Sequence, residues 1–182
     1  MTENKTLNKQ SLLTIVAAVF FSWELHEFFH WVAGTLLGNP MAMTLNSTFV
    51  QGGKYIKNWH ALVVDVAGVL VTLAEALACF LVLKKKESFV AFPFLLTCLY
   101  MRALAGVMNI INPNDEGRLS LALGTDVFFI SLLVVGILFY LVYNIVKTRS
   151  ISSKQVAIHF AWIVFFSSML MVTDQLLKVR IL

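Results

Sequence analysis

The sequence predicts an all-α fold, a multi-span helical membrane bundle of about five transmembrane helices, with a short β-hairpin or loop between the first two spans. Three observations predict it. Of the 182 residues, 59% are hydrophobic and only 13% are charged, against about 25% charged in soluble domains, and the mean hydropathy is +0.81. The apolar residues gather into five runs, each reaching the roughly 20 residues a helix needs to cross a bilayer. Breaker and charge clusters separate those runs: Gly38-Asn39-Pro40, Lys84-Lys85-Lys86, Asn112-Pro113-Asn114 and the polar stretch 147–154. No segment is polar enough for a separate soluble domain, so residues 1–182 are expected to form a single integral membrane domain.

The elements follow in order. Met1 to Gln10 is polar. The first span covers about Ser11 to Leu37, too long for a signal-peptide core and therefore retained. Gly34 and Gly38 have the small-xxx-small spacing that lets helices approach, and Gly38-Asn39-Pro40 ends the helix. Between Met41 and Trp59 the pattern changes. Met41 to Leu45 alternates in part, Ser47 to Val50 is β-prone, and Gln51-Gly52-Gly53 signals a turn, so a hairpin at the membrane surface is expected. The second span covers about His60 to Leu83. The third runs from about Phe89 to Ile111, with Pro93 near its start, where a missing N–H costs least. A short stretch, Leu119 to Gly124, leads to the fourth span at about Thr125 to Val146, and the fifth covers about Val156 to Leu177.

Charge excludes some functions. The net +4 resides mainly at the ends of apolar runs, where cations meet headgroups and orient a membrane protein. There is no aromatic-interleaved basic patch and no glycine-rich phosphate loop, so no nucleic-acid partner is expected; the bilayer itself is the partner. Cys79 and Cys98 fall inside spans and read as small apolar residues rather than a disulfide. With the N-terminus inside, the inner segments hold Lys5, Lys9, Lys84, Lys85, Lys86, Lys147, Arg149 and Lys154. The outer ones hold Lys54, Lys57, Arg118, Lys178 and Arg180. That bias favours a cytoplasmic N-terminus, and a compact multi-pass chain of this kind fits a bacterial cell membrane.

Within the first span, His26-Glu27-Phe28-Phe29-His30 has the pattern H-E-x-x-H. Two histidines at i and i+4 lie about 40° apart round a helix and roughly 6 Å apart along it, so both face one side. One metal ion can take a nitrogen from each, with Glu27 in reach of a water on that metal. A catalytic zinc needs a third protein ligand and an open position. The first and third spans run the same way, which brings Asp115, just past the third, to the membrane face near which His26 and His30 lie. Asp65, about five residues inside the second span, is the alternative; otherwise it would accept a hydrogen bond from a ligand imidazole. For Asp115 to serve, the segment after the third span must fold back, which membranes tolerate only where it lines a protein cavity.

These residues resemble the site-2 protease family of intramembrane zinc metalloproteases. The resemblance rests on HEFFH, the β-prone loop, the Ala67-Gly68-Val69-Leu70-Val71-Thr72 segment, and Asn109 to Gly117. It covers roughly Leu13 to Gly124, with a metalloprotease-like core at about 11–124 and two additional spans in 125–182. It implies that His26, His30 and Asp115 are zinc ligands, that Glu27 is the catalytic base, and that the partner is a membrane-protein or peptide substrate. Two departures stand out. The family's Gly-Pro-x-x-Asn reads Gly68-Val69-Leu70-Val71-Thr72 here, and its Asp-Gly is interrupted by Glu116. These bear on peptide cutting more than on metal binding; a membrane protein that keeps the metal for structure, sensing or transport is the alternative.

Other ionisable residues have plainer readings. Arg102 is expected to neutralise Asp65 or Glu24, and Glu75 to pack or pair. His60 is expected to be an interfacial anchor or to line the site entrance, and Asp126 to cap a helix start. His159 has no assigned role.

Overall fold

The structure, a computed structural model, describes residues 9–86, 88 and 90–182. Met1 to Asn8, including Lys5 of the charge tally, and Phe89 at the expected start of the third span lie outside the described residues. Six helices and one small sheet follow the expected order: α1 (Lys9–Leu36), β1 (Met41–Met43), β2 (Thr48–Val50), α2 (Asn58–Lys85), α3 (Ala91–Met108), α4 (Asp115–Ala122), α5 (Phe129–Thr148) and α6 (Ser153–Leu177). All but α4 are long and apolar enough to cross a membrane.

The five long helices alternate in direction. The ends of α1, α3 and α6 meet the hairpin and α4 at one face. The ends of α2 and α5 meet at the other, where Arg149 Nε donates to the Leu83 carbonyl at 2.8 Å and Lys84 Nζ to Asn144 Oδ1 at 3.2 Å. Ile15, Val19, Leu95, Leu96, Met101, Leu138, Ile145 and Ile163 form the buried core. Leu70, Leu132, Phe139 and Tyr140 stay exposed, as expected of side chains whose solvent is lipid. The most apolar stretch of α3 is 50% buried and that of α6 only 11%, so α3 is the central helix and α6 a peripheral one. Ser152 and Gln155 close the start of α6 with a reciprocal capping box, satisfying two otherwise free N–H groups.

The hairpin is present, shorter than the β-prone sequence allows. β1 and β2 pair antiparallel, Met41 with Val50 and Met43 with Thr48. Gln51-Gly52-Gly53 is the exit from β2 and not the hairpin turn; Gly52 and Gly53 take positive φ there. Gly34 serves this hairpin and not a helix pair. A Cβ on it would collide with the Met41 side chain, so β1 lies directly against α1. Gly38 leaves α1 with φ +82°, a value only glycine adopts freely.

The Asn112–Gly117 breaker resolves into a bend and the start of α4, which packs on α2 and α5. Asn109 organises the bend. Its Oδ1 accepts from Asn114 N–H at 2.9 Å and its Nδ2 donates to Ser131 Oγ at 2.9 Å. Asn114 caps α4 by accepting from Gly117 N–H, and its amide donates to the Ala105 carbonyl. The chain after α3 thus turns back toward the bundle.

Candidate metal centre

His26 and His30 project from α1 toward α2, where two backbone carbonyls fix them. His26 Nδ1 lies 2.8 Å from the Gly68 carbonyl and 3.0 Å from Thr72 Oγ1; His30 Nδ1 lies 2.6 Å from the Val64 carbonyl. A carbonyl oxygen can only accept, so Nδ1 carries the proton in both rings and each Nε2 is left with its lone pair. The approach depends on Gly68, where any Cβ would fall on the imidazoles of His30 and His26. Both rings are buried, at 3% and 5% exposure.

Asp115, the first residue of α4, completes the group. His26 Nε2 is 3.0 Å from His30 Nε2; Asp115 Oδ2 is 3.2 Å from the first and 3.4 Å from the second. Ligands about 2.0–2.1 Å from a tetrahedral ion stand about 3.3 Å apart, so the triangle has the size a small divalent ion requires. Two imidazole lone pairs facing each other at 3.0 Å also need a cation or a proton between them. His26, His30 and Asp115 could therefore hold a metal ion.

The surrounding charges orient the carboxylate. Arg118 forks onto Asp65, with Nε–Oδ2 at 2.9 Å and Nη2–Oδ1 at 2.6 Å, and its Nη2 also reaches Asp115 Oδ1 at 3.0 Å. One Asp115 oxygen is thereby tied down, leaving the other aimed at the histidines. Arg102, 3% exposed, donates from Nη1 to Glu116 Oε1 at 3.0 Å and to Asp115 Oδ2 at 3.3 Å. Its Nη2 lies 3.3 Å from His26 Nε2. Burial pushes the Glu116 carboxyl up against the pull of Arg102. Among the described residues, Arg102 Nε and Glu116 Oε2 have no hydrogen-bond partner.

A polar cleft of about 210 Å3 opens onto this group and includes Glu27, His30, Asp115, Asn46, Thr48 and Arg118 in its lining. The hairpin roofs it, and Thr48 Oγ1 donates to the Glu27 carbonyl at 2.9 Å. His30 lies six residues before the end of α1, about 9 Å along the helix, so the cleft is close to that end of the bundle.

The four residues singled out in the sequence therefore meet at one place. Three neighbours, Asp65, Arg102 and His60, differ from expectation, whereas Glu75 and Asp126 do not. Asp65 stays outside the group because Arg118 takes both its oxygens, and carbonyls take its expected place as acceptors for the ring N–H groups. Arg102 pairs with Asp115 and Glu116, not with Asp65 or Glu24. His60 is buried, with Nδ1 3.0 Å from Asn39 Nδ2, and lies inside the helix junction rather than at an entrance. Glu75 Oε1 accepts from Ser22 at 2.7 Å, a pairing role. Asp126 accepts from Phe128 N–H at 2.9 Å, capping the turn before α5. His159 Nδ1 lies 2.8 Å from the Gln155 carbonyl, and the ring meets Phe92 edge-on. Sequence reasoning missed the Arg118–Asp65 fork and α4 itself. The helix had a signal, since Asn114 followed by Asp115-Glu116 is a capping residue with acids in the first turn.

Set against family models, curated proteins and solved structures, the chain matches none of them.

Proposed function

We propose that this chain is an intramembrane zinc metalloprotease, a divergent relative of the site-2 protease family, hydrolysing peptide bonds of membrane-associated substrates. One observation carries the reading: His26 Nε2, His30 Nε2 and Asp115 Oδ2 form a ligand-sized triangle, and two of its members, His30 and Asp115, line a polar cleft together with Glu27. Two imidazoles and one carboxylate, with one position left open, are a common donor set for catalytic zinc. When bound, the ion would supply Lewis acidity and acidify a water. Glu27, which lines the cleft, would be the general base there, accepting a proton from the attacking water and passing it to the leaving amine. Arg118, anchored on Asp65, keeps Asp115 turned toward the histidines, and Gly68 gives the rings room against α2. The substrate reaches this site as an extended segment, because a helix keeps its carbonyls in its own hydrogen bonds. We further place the protein in a bacterial cell membrane with a cytoplasmic N-terminus. The gathering of Lys84, Lys85, Lys147 and Arg149 at the face away from the metal group supports that orientation.

The test is Glu27→Gln in cells. Metal content is expected to equal that of the wild type while an uncut membrane protein accumulates. Equal metal with no accumulating substrate would favour a second reading, a non-proteolytic protein that keeps the metal for structure, sensing or transport. A specific observation favours that rival: Thr72 stands where the family has Asn, and its hydroxyl is committed to the Gly68 carbonyl at 3.0 Å.

A further inference from the structure

Residues 178–182, which follow α6, return to the hairpin. Met43 N–H donates to the Leu182 carbonyl at 2.9 Å; Ile181 N–H and Leu182 N–H donate back to the Met43 carbonyl at 2.8 and 3.4 Å. The exchange between Met43 and Leu182 is one rung of an antiparallel pair. The segment therefore sits where a third strand would, on the outer edge of β1. Its side chains take part as well. Ile181 and Leu182 form one wall of a groove of about 430 Å3 whose other lining residues are mainly apolar, Phe21, Leu25, Phe28 and Phe94, with Glu24 and Glu75 beside them. The Arg180 guanidinium lies 5.8 Å over the Phe49 ring.

The attachment is shallow. Ile181 and Leu182 remain 46% and 45% exposed, and Lys178 begins the segment with φ +47°, a conformation that disfavours a side chain. The groove lies on the Phe21–Phe28 face of α1, roughly opposite His26 and His30 round the helix. The segment therefore does not cover the metal group. It holds the hairpin that roofs the cleft, beside Asp174, which accepts from Thr44 Oγ1 at 3.1 Å and from Leu45 N–H at 2.9 Å.

We infer that residues 179–182 are a detachable strand, and that the β1 edge they occupy is a binding site for an extended peptide carrying a basic residue followed by two branched aliphatic ones. Backbone pairing gives such a site its affinity and the groove its selectivity. The inference goes beyond the metalloprotease reading and holds whether or not the metal group cuts peptides.

The experiment measures binding of a fluorescein-labelled peptide of residues 178–182 to the protein in lipid nanodiscs. A chain ending at Leu177 is expected to bind it at least 10-fold more tightly than the full chain, because the segment in cis competes at high effective concentration. Full-length protein carrying Ile181→Asp and Leu182→Asp is expected to gain binding in the same way, which guards against a truncation that misfolds. A peptide N-methylated at the nitrogen equivalent to Ile181 is expected not to bind. The proposal is overturned if neither altered protein binds more tightly than the full chain. It is also overturned if the N-methylated peptide binds equally, since the groove would then take apolar groups, acyl chains included, without strand pairing.

Discussion

The two faces of α1 carry opposite solutions to one problem, how to place polar groups in a bilayer. On one face His26 and His30 meet carbonyls from α2, Asp115 from α4 and the Arg102 guanidinium from α3. There the polar side chains are linked to one another, with Arg102 Nε and Glu116 Oε2 left over, and the residual space is a polar cleft of about 210 Å3. On the other face Phe21, Leu25 and Phe28 line an apolar groove of about 430 Å3, and Glu24 Oε1 is buried with no partner among the described residues. The difference teaches what each face is suited to hold. Metal ligands need lone pairs fixed in direction before the ion arrives, and the dense hydrogen bonding of the first face provides that. The strand exchange proposed above needs apolar surface that releases the strand readily, and the groove beside Ile181 and Leu182 would offer it.

Substitutions can break or sharpen this contrast. The largest effect is expected from Glu27→Gln: loss of about 10²–10⁴-fold in peptide cleavage with metal retained, read by turnover of a membrane substrate beside metal analysis. Gly68→Ala comes next. Its methyl must displace both imidazoles, so metal binding should fail and stability should fall by about 1–3 kcal/mol, read by metal content and thermal unfolding in nanodiscs. Arg118→Met frees the Asp115 carboxylate to turn and is expected to weaken metal affinity by about 10–100-fold, read by chelator competition. On the opposite face, Glu24→Leu should leave metal affinity unchanged and raise thermal stability by about 1 kcal/mol, because a buried oxygen without a partner is removed. A weaker metal site in that variant would show that the two faces are coupled through α1.

Much of this contrast is legible in the sequence. The five spans read directly from hydropathy, and their ends fall within a few residues of those expected, because long apolar runs allow little else in lipid. His26 and His30 share a face by helical spacing alone. Asp115 reaches them because counting spans puts the ends of α1 and α3 at one membrane face. The hairpin is legible from Ser47 to Val50, though its turn is not, because three-residue strands leave a short pattern. What escapes is tertiary. Arg118 could have paired with any nearby carboxylate, and only the return of α4 onto α2 brings it to Asp65. Gly68 reads as one more small residue in a span until the imidazoles are seen against it. The pairing of Ile181 and Leu182 with Met43 joins segments about 140 residues apart in sequence, with no local periodicity to reveal it.

The central claim, that the polar face of α1 is a metal site built from three named side chains, rests most directly on metal content. The decisive measurement is metal analysis of purified wild type beside His26→Ala and Asp115→Ala, all in the same lipid nanodiscs. The account predicts about one zinc ion per chain in the wild type, its loss in His26→Ala, and its loss or severe weakening in Asp115→Ala. A wild type without metal, or a His26→Ala variant with undiminished occupancy, would contradict it.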